Sequence, residues 1–275
     1  MAEKQKPKKT REAHSVKETK NVPYTESAGA RSARDVDVWT RMEDLIHSNQ
    51  HTFKHVLELF PAYIRRLHIG RFIAHYELFK QVIDLPGCIV ELGVYRGPSF
   101  FTFAKLMETF CPGDRKRMVY GFDGFEGLQN FSEKDGKMAP GSGKDVSGWS
   151  AKAVREEVET LVDICNNDNF IPASPRCKLI VGDVEETIPK FLEENPGLRI
   201  SLLHLDMDLY RPTKVALELL YPRVVKGGVV AFDEYGLIPW EGESAAVDEY
   251  FAANPPAPVI KKFPYSTQPH GYFIK

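Results

Sequence analysis

Residues 88–110 read CIVELGVYRGPSFFTFAKLMETF, and the fold follows from how that stretch changes character. Residues 88–92 form a short apolar run of strand type, Gly93 to Gly97 is a turn bounded by glycines, and residues 99–110 are an apolar stretch of helical length. A strand that turns tightly into a helix opens a βαβ unit, and such units build a parallel sheet. The alternation recurs downstream. Strands are expected at 118–122, 178–181, 200–205 and 228–232, with helices at 151–166, 185–194 and 212–221 between them. After a further helix from Ser244 to Phe251, residues 259–263 and 272–274 read as two strands joined by a turn, an antiparallel addition at the sheet edge.

Upstream the pattern differs. Between Val36 and Val82 apolar residues recur at helical spacing, among them Val38, Met42, Leu45, Phe53, Leu57, Phe60, Phe72 and Phe79, which predicts three helices. Residues 1–34 are rich in Lys, Glu, Ser and Pro and hold too little apolar surface to offset the entropy of ordering. The expected organisation is therefore a flexible basic tail at 1–34, N-terminal helices at 35–84 and an α/β body at 85–275. The apolar surface on the N-terminal helices exceeds what one sheet face needs, so a homo-oligomer is expected.

The 275-residue chain carries a net charge of −2, with 43% hydrophobic and 27% charged residues, as in an ordinary globular protein. A mildly acidic body argues against nucleic acid as the main ligand. No apolar run approaches the roughly 18 to 20 residues that span a bilayer, and the N-terminus has no apolar leader, which reads as a cytoplasmic protein with no membrane partner. The four cysteines show no CxxC spacing, so neither a disulfide framework nor a zinc site is expected.

The chemistry lies at the carboxyl ends of the strands. Five successive expected strands end in an acid: Glu91, Asp123, Asp183, Asp206, and Asp233 with Glu234. In an open α/β sheet the ligand sits outside the carboxyl ends of the strands, where strand order reverses, so these acids converge on one crevice. Any single acid there also serves as a helix cap; five together point to a site. Gly93 and Gly97 let the backbone approach a ligand, and the next helix presents free N–H groups to an anion. Their spacing departs from the G-x-G-x-x-G dinucleotide fingerprint, and Asp123 is placed to accept hydrogen bonds from ribose hydroxyls. A nucleoside-linked amino acid satisfies both features. Further on, HLDMDLY (204–210) and FDEY (232–235) bring Asp206, Asp233 and Glu234 to one place, an oxygen-rich, thiol-free set that suits Mg2+ or another hard divalent ion. Asp208, two residues beyond its strand, either joins them or faces solvent.

The runs VELGVYRGPS, YGFDGFEGL, LHLDMDLYRPTKVALELLYPRVVKGGVVAFDEYG and AAVDEYF resemble the macrocin O-methyltransferase family, the S-adenosylmethionine-dependent sugar O-methyltransferases of antibiotic biosynthesis. The resemblance covers roughly residues 65–275. It implies a seven-stranded Rossmann-like class I methyltransferase sheet with the antiparallel edge strand and added N-terminal helices. It also implies a bound Mg2+ and methyl transfer to a hydroxyl of a sugar or glycoside acceptor. By position, Glu91, Gly93 and Ser99 line the methionine part of the cofactor, Asp123 its ribose and Asp183 its adenine, with Tyr95 and Gly182 also at the cofactor. Asp206, Asp233 and Glu234 hold the metal, and Glu234 stands where the family usually has a second aspartate. Asp206 is the first candidate for the base that takes the hydroxyl proton; Asp208 and His270 are the others. His204 reads as a core histidine. The 131–149 insertion, longer than the family pattern, reads either as a lid or as a solvated loop, with Trp149 and Trp240 as candidate walls for the acceptor. A metal-dependent glycosyltransferase would also use the DxD segment, but would leave the glycine loop after Glu91 without a role.

Overall fold

The computed structural model describes residues 28–139 and 142–275, and the expected tail falls outside them up to residue 27. Helix α1 (Ala28–Ser48) takes in the last residues assigned by composition to that tail. The described residues fall into two compact units that divide between Ile64 and Arg65. In the first, α1 is followed by α2 (Phe53–Glu58), capped by the Thr52 hydroxyl, and by the short α3 (Phe60–Tyr63), which Pro61 opens. Phe53, Leu57 and Phe60 are exposed.

The second unit begins with α4 (Arg66–Lys80), so the expected helical region 35–84 divides at Ile64. The reason is burial: Ala74, Leu78, Phe79 and Val82 sit wholly inside the core of the sheet. The sheet comprises β1 (Cys88–Leu92), β2 (Val119–Asp123), β3 (Cys177–Val181), β4 (Ile200–Leu205), β5 (Val224–Phe232) and β6 (Gly271–Ile274), in the order β3-β2-β1-β4-β5-β6. All neighbours are parallel except β5 and β6. Helices α4, α5 (Pro98–Phe110) and α6 (Arg155–Asn167) cover one face, and α7 (Val184–Glu194), α8 (Tyr210–Leu219) and α9 (Glu241–Ala253) the other. The residues of β4 are buried throughout, as a central parallel strand requires. This is a Rossmann-like α/β fold of the class I methyltransferase type, and chain order reverses between β1 and β4, which places the ligand crevice above those two strands.

The sheet has six strands, not seven. Residues 259–263, expected as a strand, make only the Lys261–Tyr272 bridge to β6. Pro258 and Pro264 flank that segment and supply no N–H, so the ladder cannot extend past its ends. Among the described residues, no helix is long and apolar enough to cross a membrane.

Candidate active site

A cavity of about 580 Å³ opens over the carboxyl ends of the strands. Gly93, Tyr95, Ser99, Asp123, Gly182 and Asp183 line it on one side, and Asp206, Asp208, Asp233 and Glu234 on the other. The two halves meet at Gly93. Its φ is +90°, and a Cβ there would lie 1.7 Å from the Asp206 carbonyl oxygen, so only glycine lets the β1 loop pass this close to the end of β4.

On the side of the glycine loop, Asp123 closes β2 and accepts the Tyr95 N–H on Oδ2 and the Phe125 N–H on Oδ1, both at 2.6 Å. Burial raises its pKa, and these N–H groups oppose the rise. Each oxygen keeps a lone pair for a further donor. Helix α5 starts at Gly97 (φ +87°) with no side-chain cap, which leaves its first-turn N–H groups for an anion. Asp183 caps α7 through the Glu185 N–H at 2.9 Å. Glu91 is not on the cavity wall: fully buried beneath it, it accepts the Ser99 hydroxyl at 2.7 Å.

The other side is an acid cluster with two embedded cations. Asp233, at the end of β5, receives Arg71 Nη2 on Oδ2 at 2.7 Å and faces His204 Nε2 with Oδ1 at 3.3 Å. Arg71 Nη2 also donates to Asp206 Oδ2 at 3.0 Å. His204 lies in β4 between Asp233 and Glu91, whose Oε2 is 3.5 Å from Nδ1. Burial disfavours its charge, but the two carboxylates outweigh burial and lift its pKa to about 10. Burial likewise pushes Asp233 up, yet Arg71 and His204 hold it below the usual carboxylate range. The remaining acids are compensated less: Asp206 shares Arg71 with Asp233, and Glu234 accepts only the neutral Gln268 amide at 2.7 Å. Burial first, then the Asp233 charge, raise Asp206 and lift Asp208 to about 7. Glu234 and Glu243 are raised mainly by burial.

Oxygens of Asp206, Asp208 and Glu234 all lie within 4.8 Å of one another, as do ligand atoms of His204, Asp206 and Asp233. Glu234 Oε2 and Glu243 Oε2 are buried without a hydrogen-bond partner. The two sets share Asp206 and neither holds both Asp233 and Glu234, so the three expected ligands do not form one group; the oxygen-only set of Asp206, Asp208 and Glu234 is the one that fits a hard divalent cation. Asp208 belongs to this cluster: its φ of +63° turns it in beside Asp206 and Glu234. His270 does not line the cavity; its Nδ1 is paired with the Tyr235 carbonyl at 2.6 Å.

Three participants were missed by the sequence reading. Arg71 and Gln268 come from outside the strand ends, and Glu243 sits in the first turn of α9, where its carboxylate accepts the Glu234 N–H at 2.9 Å. Glu243 carried a signal, an acid at a helix start one loop beyond the Asp233-Glu234 pair. Trp149 and Trp240 both line the cavity, Trp149 edge-on to Tyr95 at 6.0 Å. The insertion is fastened at two points. Buried Asp135 accepts the Tyr210 N–H at 2.7 Å, and buried Lys144 pairs with Glu241 at 2.6 Å and with the Pro239 carbonyl.

Residues 73–261 match the family model described as Macrocin-O-methyltransferase (TylF), and the chain belongs to that family. It is 30% identical over 157 residues to 8-demethyl-8-(2,3-dimethoxy-alpha-L-rhamnosyl)-tetracenomycin-C 4'-O-methyltransferase of Streptomyces olivaceus, covering 56% of this chain and 54% of that protein. It is 30% identical over 190 residues to demethyldecarbamoylnovobiocin O-methyltransferase of Streptomyces niveus, covering 66% of each. The matches thus span about half to two thirds of those relatives. Among solved structures, the calicheamicin methyltransferase CalS11 superposes with a TM-score of 0.80 at 27% identity, covering 91% of this chain and 94% of that one. The apo form of CalS11, described as a TDP-rhamnose 3'-O-methyltransferase, gives 0.71 at 29% identity, covering 91% and 96%. These relatives leave the glycosyltransferase reading of the DxD segment without support.

Proposed function

We propose that this protein is an S-adenosylmethionine-dependent O-methyltransferase that acts, with Mg2+, on a hydroxyl of a sugar carried by a nucleotide or a glycosylated natural product. The observation that carries the reading is that the uncapped α5 loop with Asp123 and the carboxylate cluster of Asp206 and Glu234 face each other across one cavity. The family and the named activities of its relatives support the same reaction.

S-adenosylmethionine, when bound, supplies a methyl group already activated on a sulfonium. Gly93, Tyr95, Ser99, Asp123, Gly182 and Asp183 are the residues to hold it, and Asp206, Asp233 and Glu234, joined by Asp208, are those to hold the ion. Mg2+ supplies charge that makes a sugar hydroxyl easier to deprotonate. The protein's own task is then mainly alignment, which contributes about 7–11 kcal/mol in well-oriented systems. Asp206 is the residue to take the hydroxyl proton, because it is 22% exposed at the cavity while Asp233 is 1% exposed and held by two cations. Leu128, Leu209 and Trp240 pack together beside the cluster and form an apolar wall that excludes water from the acceptor. The exposed Phe53, Leu57 and Phe60 support a homo-oligomer, for which light scattering should give a mass at least twice 31.2 kDa.

Calorimetric titration of the full chain with S-adenosylmethionine, NAD and a nucleotide sugar tests the reading. Binding of the first and not of NAD is expected. Tight NAD binding with no heat from S-adenosylmethionine would overturn it.

A further inference from the structure

Arg71 and Gln268 lie on either side of the residues that match the family model, yet both line the cavity. Together they grip Asp206, Asp233 and Glu234, three of the four carboxylates assigned above to the divalent ion. Arg71 Nη2 holds Asp206 Oδ2 and Asp233 Oδ2, its Nη1 donates to Gln268 Oε1 at 3.1 Å, and Gln268 Nε2 donates to Glu234 Oε1 at 2.7 Å. A guanidinium fork on carboxylate oxygens and a divalent ion on the same oxygens repel one another at these distances. The Gln268 backbone is itself fixed, since its main-chain carbonyl accepts the Ser266 hydroxyl at 2.5 Å, so the grip is braced from the loop ahead of β6.

We propose that Arg71, braced by Gln268, is a built-in rival of the divalent cation, so that the cluster has a guanidinium-held state and an ion-held state and ion uptake requires Arg71 to release Asp206 and Asp233. The inference rests on the divalent-ion reading given under Proposed function. Its chemistry is an exchange of one cation for another on shared oxygens, with no covalent step. The guanidinium neutralises the acids while no ion is bound and weakens the ion's hold when it arrives.

The test is Mn2+ titration of the full-length, EDTA-stripped protein by calorimetry and by loss of the free-Mn2+ resonance. Wild type is compared with Arg71→Met, Arg71→Lys and Gln268→Met, each checked for cooperative thermal unfolding. Removing a unit charge this close to a divalent ion should tighten Mn2+ binding about tenfold or more in Arg71→Met. Arg71→Lys, which keeps the charge, should stay within about threefold of wild type. Gln268→Met, which keeps Arg71 but unbraces it, should bind about threefold tighter, and this variant decides the matter if Arg71→Met does not fold. Equal or weaker Mn2+ binding by Arg71→Met, or by Gln268→Met in its place, would overturn the rivalry. If neither wild type nor the variants bind Mn2+, it is the divalent-ion reading that fails.

Discussion

Replacing Asp233 by Asn should destabilise the Arg65–Lys275 unit, although only one atom changes. The Asp233 side chain is 1% exposed and is the shared counter-charge of Arg71 and His204. Removing one partner of a buried ion pair costs about 3–5 kcal/mol, because the other charge is left uncompensated. Arg71 keeps Asp206 and His204 keeps Glu91, so the loss belongs near the lower end, about 3 kcal/mol. For a unit of this size each kcal/mol moves the melting midpoint by about 2–4 °C, which predicts a fall of about 6–12 °C. Asp208→Asn is the matched comparison. No ion pair among the described residues reaches Asp208, and its charge sits beside those of Asp206 and Glu234, so its removal should not lower the midpoint. Differential scanning calorimetry at pH 7 in EDTA reads both variants. A midpoint for Asp233→Asn within about 2 °C of wild type, or an equal fall in both, would refute the assignment of Asp233 as the charge hub.

Asp123→Ala should weaken S-adenosylmethionine binding by about 1.5–3 kcal/mol, roughly ten- to a hundred-fold in Kd by calorimetry, and an unchanged Kd removes Asp123 from the cofactor wall. Away from the site, Glu108 accepts Arg115 at 2.7 Å, Arg176 at 3.0 Å and the Phe170 N–H at 2.8 Å; burial raises its pKa, but these donors bring it below the ordinary 4.5. Its contribution is therefore present above about pH 4.5 and is lost as pH falls through the lower folded value. Glu108→Gln should lower stability by about 3 kcal/mol at pH 7 by leaving Arg176 short of a counter-charge, and the gap should narrow as pH falls from the ordinary 4.5 through the lower folded value. A gap independent of pH in denaturant titrations would show that the carboxylate charge contributes nothing.

The parallel sheet was legible because its signals are local. The strands at 88–92 and 200–205 agree with the sequence reading to the residue, since each is a short, largely apolar run with a sharp end, Gly93 after the first and Asp206 after the second. The acids at those strand ends were legible for the same reason. What stayed hidden depends on distant parts of the chain. Arg71 sits in a helix whose sequence shows only helical spacing, and nothing in its neighbours announces that its side chain reaches the acids at the ends of β4 and β5. The 259–263 segment has strand-like residues, and only the prolines beside it tell against a ladder. Asp208 was undecidable by position, because a left-handed φ, invisible in composition, turns it toward the cluster.

The contact between position 93 and the Asp206 carbonyl also bears on redesign. With 1.7 Å between a hypothetical Cβ and that oxygen, variation at 93 collapses to a single residue, whatever acceptor is wanted. A mutagenesis library that randomises the β1 loop wholesale would consist largely of misfolded clones. Diversity is better placed at Leu128, Leu209 and Trp240, which border the cavity as a separate apolar group and can change size without pushing the two halves of the site apart.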